Sequence, residues 1–188
     1  METGHTQLRK YEEYAYVLDS KSHTKSTTVH GRTGIIVVAI GEERLTLLEI
    51  LGIENSTFNV GEKIYIGKEG RTKVQSVLGK MDYIKISDSA KNEIPGVVES
   101  IVTENEKKFV DYINNAQPLT PRIHALELIP GIGKTYLNVI IKEREKAPFE
   151  SFNDMEKRAG LKEPSKHLSQ RIIEEISGET RMNLFVKR

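Results

Sequence analysis

The sequence PGIGK, which begins at Pro130, has the residue types and the spacing needed to bind an anion. Pro130 lacks an amide hydrogen, so it ends the apolar segment that precedes it. Gly131 and Gly133 flank one aliphatic residue and permit a tight reversal, because glycine adopts positive φ without steric cost. The amides of Gly131, Ile132 and Gly133 would then face outward at the positive end of the next helix. Lys134 would add a mobile positive charge, so the segment predicts a phosphate site.

Two helices are expected to position this hairpin. Thr120 and Pro121 are typical of a helix start, and the residues after them have helical apolar spacing: Ile123, Leu126, Leu128 and Ile129. Lys134 and Thr135 would open the second helix, with Ile132 as a plug between the two. This order resembles the helix-hairpin-helix nucleic-acid-binding motif. The resemblance implies that residues 131–135 bind a backbone phosphate of DNA or RNA.

Two other interpretations start from the same residues. Gly133, Lys134 and Thr135 match the end of a P-loop, but that motif requires a glycine where this chain has Leu128. The preceding segment is also predicted to be helical rather than a strand, which argues against a nucleoside triphosphate site. The other interpretation is that the two glycines form only a tight interhelical turn, used for packing or for protein interaction.

Charge is distributed unevenly along the chain. The net charge is +1 over 188 residues, which provides no overall attraction to nucleic acid. From Pro118 onward there are 13 Lys and Arg against 10 Asp and Glu, a mild basic excess that agrees with phosphate binding. The absence of cysteine excludes disulfides and thiol catalysis. Since no apolar leader or membrane-length stretch is present, we expect a soluble, cytoplasmic protein without membrane contact.

Residues 1–86 are predicted to form a small OB-like β-barrel. Five or six short strands punctuated by glycine follow one another from Tyr14, and they include the wholly apolar run IIVVAI that begins at Ile35. Closure into a barrel would remove the exposed edges of so few strands. Four aromatic residues are either base-stacking platforms or barrel core: Tyr14, Tyr16, Phe58 and Tyr65.

A polar run after the first predicted strand carries several cationic residues. Lys21, Lys25 and Arg32 lie there together with His23 and His30. One interpretation is a flexible solvent loop, and the other is a β-hairpin arm whose cations contact nucleic-acid phosphates. No metal site is expected, because the histidines have neither metal-ligand spacing nor acidic companions.

The remainder of the chain is predicted to be helical. Residues 87–117 form an acidic helical linker that packs the two domains together, and residues 118–178 form the helix-hairpin-helix domain. A second, degenerate hairpin after Gly160 lacks the second glycine and would serve mainly for packing. Three cations near it could add charge: Lys162, Lys166 and Arg171. Residues 179–188 are predicted to form a strand that returns to the barrel. The expected class is α+β, a barrel followed by tandem hairpins.

Taken in order, five segments resemble the archaeal family known as domain of unknown function 655: YAYVLD, LTLLEI, GEKIYIG, LELIPGIGK and the LFV tail. The resemblance covers nearly all of the chain from Tyr14 onward. It implies an OB-like barrel with tandem helix-hairpin-helix motifs and a nucleic-acid-binding role. Because the family has no established activity, it supports the fold more than the function.

Catalysis is not expected, and neither is a metal or a cofactor. The carboxylates are spread along helix faces beside Lys and Arg rather than clustered around a metal, and the adjacent pair Glu174 and Glu175 would diverge in direction. We therefore predict a largely sequence-tolerant RNA- or DNA-binding protein whose PGIGK hairpin binds backbone phosphate. The alternative, favoured by the low net charge and the acidic middle segment, is a protein-interaction adaptor in a ribosomal or repair complex.

Overall fold

A computed structural model describes residues 11–21, 27–29 and 31–188 and shows a mixed α+β protein. The chain divides into two compact units. The first contains the residues up to Asp82 together with Arg188, and the second contains Tyr83–Lys187. The first unit therefore ends before the expected boundary at residue 86. Among the described residues, no helix is both long and apolar enough to cross a membrane.

The first unit is a curled antiparallel sheet. Its strands are β1 (Tyr14–Lys21), β2 (Thr27–Val29), β3 (Arg32–Gly41), β4 (Leu47–Gly52), β5 (Lys63–Tyr65) and β6 (Val74–Lys80). They lie in the order β5-β1-β3-β4-β6, and the short β2 pairs with β3. The apolar IIVVAI run lies in β3, as predicted, and its Val37 and Ala39 are fully buried. Alternate residues of β1, β3 and β4 thereby build one core, to which Phe58 and Val74 also contribute.

A side chain, rather than a strand ladder, joins the two ends of this sheet. Strands β5 and β6 stand at opposite ends of the order, and in the described part of the chain no ladder connects them. The Arg71 guanidinium donates through Nη2 to the Ile66 carbonyl at 3.0 Å and through Nε to the Gly67 carbonyl at 2.6 Å, just after β5. Its Nη1 donates to the Gln75 carbonyl in β6 at 2.9 Å. Arg71 therefore spans the gap that complete barrel closure would have filled with backbone hydrogen bonds.

The second unit is mainly helical. Its elements are α1 (Asp88–Glu104), α2 (Glu106–Asn115), β7 (Pro118–Thr120), β8 (Ile123–His124), a 3-10 turn (Ala125–Leu128), α3 (Lys134–Lys146), α4 (Phe152–Ala159) and α5 (Pro164–Ser177). The predicted linker helices belong to this unit, where α1 packs against α5. Helix α1 begins at the Ser87 cap and contains Pro95 in its interior.

The predicted first helix of the hairpin is wrong. Thr120 ends β7 instead of capping a helix, and its Oγ1 accepts the amides of Arg122 at 3.2 Å and Ile123 at 3.0 Å. This side-chain turn competes with helix formation and reverses the chain into β8. Only the 3-10 turn at Ala125–Leu128 remains of the expected helix.

The predicted C-terminal strand is also absent from residues 179–188, which are fully described. Residues 184–186 instead direct their three amides at one carboxylate, that of Glu175 in α5, at 2.6, 2.9 and 2.8 Å. Glu175 is completely buried and also accepts from Arg171 Nε at 2.9 Å. The tail up to Lys187 therefore packs within the second unit rather than pairing with the sheet of the first.

Candidate nucleic-acid interface

The PGIGK hairpin forms a tight turn into α3, as the sequence predicts. Gly131 has φ 85°, a left-handed conformation that glycine adopts without strain. Gly133 is the N-cap of α3 in an extended conformation, with φ −82° and ψ −176°. Ile132 between them is 3% exposed, so it plugs the space beneath the turn. Lys134 and Thr135 form the exposed first turn of α3.

The amides of this turn do not all remain open to an anion. Ile132 donates its amide to the Ile129 carbonyl at 3.0 Å, so this amide stabilises the turn and is not available to an anion. The first hydrogen bond of α3 runs from the Leu137 amide to the Gly133 carbonyl at 2.9 Å. Within the part of the chain that the structure describes, the amides of Gly133, Lys134 and Thr135 have no partner, and no acidic residue lies in the first turn of α3. The open amides at the start of α3, Gly133–Thr135, therefore extend two residues beyond the predicted set of Gly131, Ile132 and Gly133.

Steric access differs between the two glycines. A methyl group at Gly133 would meet no atom within 4 Å, so the space next to this residue is open. A methyl group at Gly131 would lie 2.3 Å from Nδ1 of His167 in α5. Gly131 is thus required for conformation and packing, whereas Gly133 leaves room for a ligand.

The second hairpin repeats part of this geometry. Gly160 comes after α4 with φ 73°, just as Gly131 comes after the 3-10 turn with a positive φ. The next residue, Leu161, is 2% exposed and corresponds to the buried Ile132. The next positions differ, because Glu163 donates its amide to the Glu156 carboxylate at 2.6 Å and Pro164 has no amide hydrogen. The packing role of this degenerate hairpin stays a prediction. Lys162 and Lys166 are exposed.

One histidine connects the two hairpins. His167 Nδ1 lies 2.9 Å from the Pro130 carbonyl of the first hairpin, and its Nε2 lies 3.1 Å from the Lys162 carbonyl of the second. The predicted cation Arg171, one turn further along α5, is buried and bound to Glu175, and it donates through Nη1 to the Leu128 carbonyl at 2.9 Å. Sequence reasoning missed His167, because no local pattern marks a side chain that bridges two distant loops.

A second histidine caps the 3-10 turn before the hairpin. His124 Nδ1 accepts the Leu126 amide at 3.1 Å, and the Glu127 carboxylate accepts the His124 amide at 3.2 Å. Burial, followed by the positive charge of Arg144, lowers the pKa of the His124 ring, and the Glu127 charge only partly opposes this effect. The neutral ring is therefore the form that supports the turn.

The basic run of the first unit is only partly described. Lys21 ends β1 and Arg32 begins β3, and both are exposed. Lys25, His23 and His30 lie outside the described residues. The structure therefore places Lys21 and Arg32 in the first unit and the five hairpin residues in the second.

The four aromatic candidates divide into two pairs. Tyr16 and Phe58 are buried, so they belong to the core of the sheet. Tyr14 is 37% exposed and packs edge-on against Tyr65, with ring centroids 5.4 Å apart. The Lys63 ammonium lies 4.6 Å from the Tyr14 ring centroid, but it is paired with Glu42 at 2.6 Å. This pairing reduces the charge that the aromatic pair could offer to a phosphate.

No metal-binding arrangement is present in the described residues, where no three His, Asp or Glu side chains are grouped as ligands. The two carboxylates Glu174 and Glu175 diverge, as predicted. Glu175 is buried, whereas Glu174 accepts from Gln170 on the helix surface at 3.2 Å.

The fold and the hairpin define a mixed α+β protein with an open helix N-terminus in its helical unit. The chain belongs to the family described as Protein of unknown function (DUF655), whose model matches residues 11–187. It is 38% identical over 181 residues to the uncharacterized protein MJ0038 of Methanocaldococcus jannaschii, covering 95% of this chain and 82% of that protein. The crystal structure of Af1531 from Archaeoglobus fulgidus, a member of the same family, matches with a TM-score of 0.80 and 38% identity, covering 94% of this chain and 100% of that one. Membership of this family, which the sequence resemblance predicted, is thereby confirmed.

Proposed function

We propose that this protein binds the sugar-phosphate backbone of RNA or DNA through the first turn of α3, largely without sequence preference and without catalysis. The observation that carries the proposal is the set of open amides at Gly133, Lys134 and Thr135. Amides at a helix N-terminus and the helix dipole together favour an anion, and the Lys134 ammonium adds a charge at the same place. A phosphate held in this way positions the polymer but specifies no base.

The arrangement of the two hairpins supports a tandem helix-hairpin-helix unit. Each hairpin has a left-handed glycine, Gly131 or Gly160, followed by a buried aliphatic residue, Ile132 or Leu161. The first hairpin is then the phosphate site, and the second is its structural support. In the second hairpin, the Glu163 amide already donates a hydrogen bond to the Glu156 carboxylate, so it is not available to a phosphate.

The strand order supports an OB-like first unit. With the short β2 left aside, β5 is the fourth strand and lies beside the first, which is the Greek-key arrangement of a partly open five-stranded barrel. Barrels of this kind often bind single strands with aromatic and cationic side chains. We assign a secondary contact with the polymer to Lys21, Lys25 and Arg32.

Substitution of Gly133 tests the proposed site. Gly133→Ala places a methyl group in open space on the residue that carries the first unpaired amide of α3, at a backbone conformation that alanine adopts. Because it obstructs a charge-assisted hydrogen bond, we expect the affinity to fall about tenfold, equivalent to about 1.4 kcal/mol. Fluorescence anisotropy with single- and double-stranded RNA and DNA across a salt series measures this. Gly96→Ala, which also adds its methyl in open space but in α1, is the matched control.

Gly131 is unsuitable for the same test. Gly131→Ala combines a φ of 85° with a clash against His167, so it should destabilise the fold by about 1–3 kcal/mol. A loss of binding in that variant would not distinguish an altered fold from an altered site. If Gly133→Ala binds as tightly as Gly96→Ala, the α3 N-terminus is not the binding site. Absence of low-salt binding to all four polymers would refute the proposed function.

A second candidate function is a protein-interaction adaptor. The observation that favours it is a pair of apolar side chains on the β7–β8 hairpin, Leu119 and Ile123, which are 41% and 42% exposed. Exposed neighbouring apolar groups are typical of a protein contact. The double variant Leu119→Thr, Ile123→Thr should then lose a copurifying protein while keeping nucleic-acid affinity. A double variant that keeps any copurifying protein but binds nucleic acid more weakly would argue against the adaptor.

A further inference from the structure

The ring of His167 faces two hydrogen-bond acceptors of the same kind. Its Nδ1 lies 2.9 Å from the Pro130 carbonyl oxygen, and its Nε2 lies 3.1 Å from the Lys162 carbonyl oxygen. No other donor reaches either oxygen within the described residues. A neutral imidazole has one N–H, so it can donate to one carbonyl while directing a lone pair at the other. The imidazolium form has two N–H groups and donates to both.

The position of this ring links it to the proposed phosphate site. Its Nδ1 occupies the space directly over Gly131, where a methyl group would approach it to 2.3 Å. The carbonyl that it contacts belongs to Pro130, and the open amides begin three residues later at Gly133. A ring that donates to both carbonyls fixes the first hairpin against the second. Its positive charge would also lie near the bound phosphate.

We propose that His167 in its imidazolium form is a positioning residue for the phosphate site, so that protonation of one ring strengthens nucleic-acid binding. The inference rests on the proposed function, since it concerns the regulation of the same site. Protonation would supply the second hydrogen bond of the bridge and one added charge. Affinity should therefore rise as the pH is lowered, because an imidazole gains a proton in acid.

Charged groups on every neighbouring element bear on this effect. On its own helix and the loop before it, Glu163 and Lys166 form an ion pair at 2.7 Å, so their charges act on the ring with opposite signs. Glu99 of α1 acts electrostatically on Lys166. The hairpins contribute Lys162 and Lys134, which are exposed. Arg171, further along α5, is neutralised by the buried Glu175.

The first experiment uses the protein alone. Long-range proton–nitrogen NMR spectra from pH 5.5 to 8 report the state of both ring nitrogens of His167. We expect two ring N–H signals in the acid form, both exchanging slowly with solvent because each donates to a carbonyl. Rapid exchange of either ring proton in that form would overturn the bridge. This result does not depend on any nucleic acid.

The second experiment measures affinity for one RNA and one DNA oligonucleotide at pH 5.5 and 8, at fixed salt. We expect the wild-type protein to bind about threefold more tightly than His167→Gln at the lower pH, which is the size of effect that one partly exposed charge pair gives, and to lose this advantage at the higher pH. His167→Arg, with a permanent charge and several N–H donors, should restore tight binding at both values. The other four histidines of the chain are present in all three proteins and serve as a common background.

The outcomes separate the two proposals. Identical pH profiles for the wild-type protein and His167→Gln, with Gly133→Ala still weakening both, would overturn the role of His167 and leave the phosphate site in place. Absence of binding by the wild-type protein at either pH would refute the proposed function and the regulation with it. The ring spectra would still decide whether His167 bridges the hairpins. Thermal unfolding confirms that each variant is folded.

Discussion

Glu175 and Arg171 form a buried ion pair that organises three separate segments. The carboxylate accepts the amides of residues 184–186, and the guanidinium donates to the Leu128 carbonyl before the PGIGK hairpin and to the Met182 carbonyl in the tail. Each charge is thus held by several hydrogen bonds, as a buried charge requires. The pair connects the C-terminal tail to the segment that leads into the candidate site.

Removal of the charge on Glu175 should be strongly destabilising. Glu175→Gln leaves the buried guanidinium of Arg171 without its counter-charge, so we expect the free energy of unfolding to fall by about 3 kcal/mol or more. Denaturant unfolding followed by circular dichroism measures this. Glu174→Gln removes the same charge from the adjacent, partly exposed position and should change the stability by less than about 0.5 kcal/mol. Equal losses in the two variants would show that the buried pair contributes nothing specific.

His124 should make the stability of the second unit depend on pH. Its neutral Nδ1 accepts the Leu126 amide, and protonation would remove that lone pair. Because the folded protein lowers the pKa of His124 below its usual 6.5, the stabilising contribution is complete above that value and is lost as the pH falls through the lower folded pKa. We expect the free energy of unfolding to decrease between pH 7 and pH 5.

The variant His124→Asn provides the control for this pH effect. Asparagine retains an oxygen that can accept the Leu126 amide, but it has no proton to gain in this range. Its free energy of unfolding should therefore change less between pH 7 and pH 5 than that of the wild-type protein. Parallel pH profiles for the two proteins would assign the acid sensitivity to other groups.

At the scale of elements, Arg71 takes the place of a strand pairing. Its three hydrogen bonds join the end of β5 to β6, and they depend on the planar fork of the guanidinium. Arg71→Lys keeps the charge but loses the fork, so we expect a loss of about 1–3 kcal/mol in the free energy of unfolding. Hydrogen exchange should also accelerate selectively at the amides of β5 and β6.

A matched substitution separates this effect from a general cost of replacing arginine. Arg32→Lys makes the same change at an exposed position of β3 in the same unit. It should leave both the unfolding free energy and the exchange rates near their wild-type values. If Arg71→Lys behaves in the same way, the gap between β5 and β6 is held by other contacts.

Local patterns predicted the elements whose cause is local. The hairpin at the left-handed Gly160 depends on backbone chemistry within one turn, and so do the Ser151 cap of α4, the left-handed Gly178 and the start of α5 at Pro164. The apolar β3 strand was predicted correctly for the same reason. Part of the candidate site, the turn into α3 at Lys134, was predicted correctly too.

The failures share a different cause. LFV in the tail has the composition of a strand, but its amides bind the distant Glu175, and no sequence pattern indicates that a buried carboxylate will take the place of a strand partner. The helix expected after Thr120 does not form, because the Thr120 hydroxyl accepts two backbone amides and stabilises a turn instead. His167 and Arg71 likewise act on segments that only the tertiary fold brings near. Long-range polar contacts, rather than propensity, decided these positions.

At the scale of the whole molecule, the division into two units predicts that the helical unit folds by itself. The second unit, Tyr83–Lys187, has its own buried core and contains the hairpin, the His167 bridge and the Glu175 pair. A fragment of residues 83–187 is long enough to bury a core without further support. We expect it to unfold cooperatively with denaturant. A fragment without a cooperative transition would show that the helical unit requires the sheet.

The same fragment separates the contributions of the two units to binding. It retains the open amides of α3 but lacks Lys21, Lys25 and Arg32. If those cations bind the polymer, the slope of log affinity against log salt should be shallower for the fragment than for the whole chain, by about one for each phosphate that these cations neutralise. Gly133→Ala should weaken the fragment and the whole chain by the same factor, because the α3 site is common to both. Equal salt slopes would confine nucleic-acid binding to the helical unit and leave the sheet free for another partner.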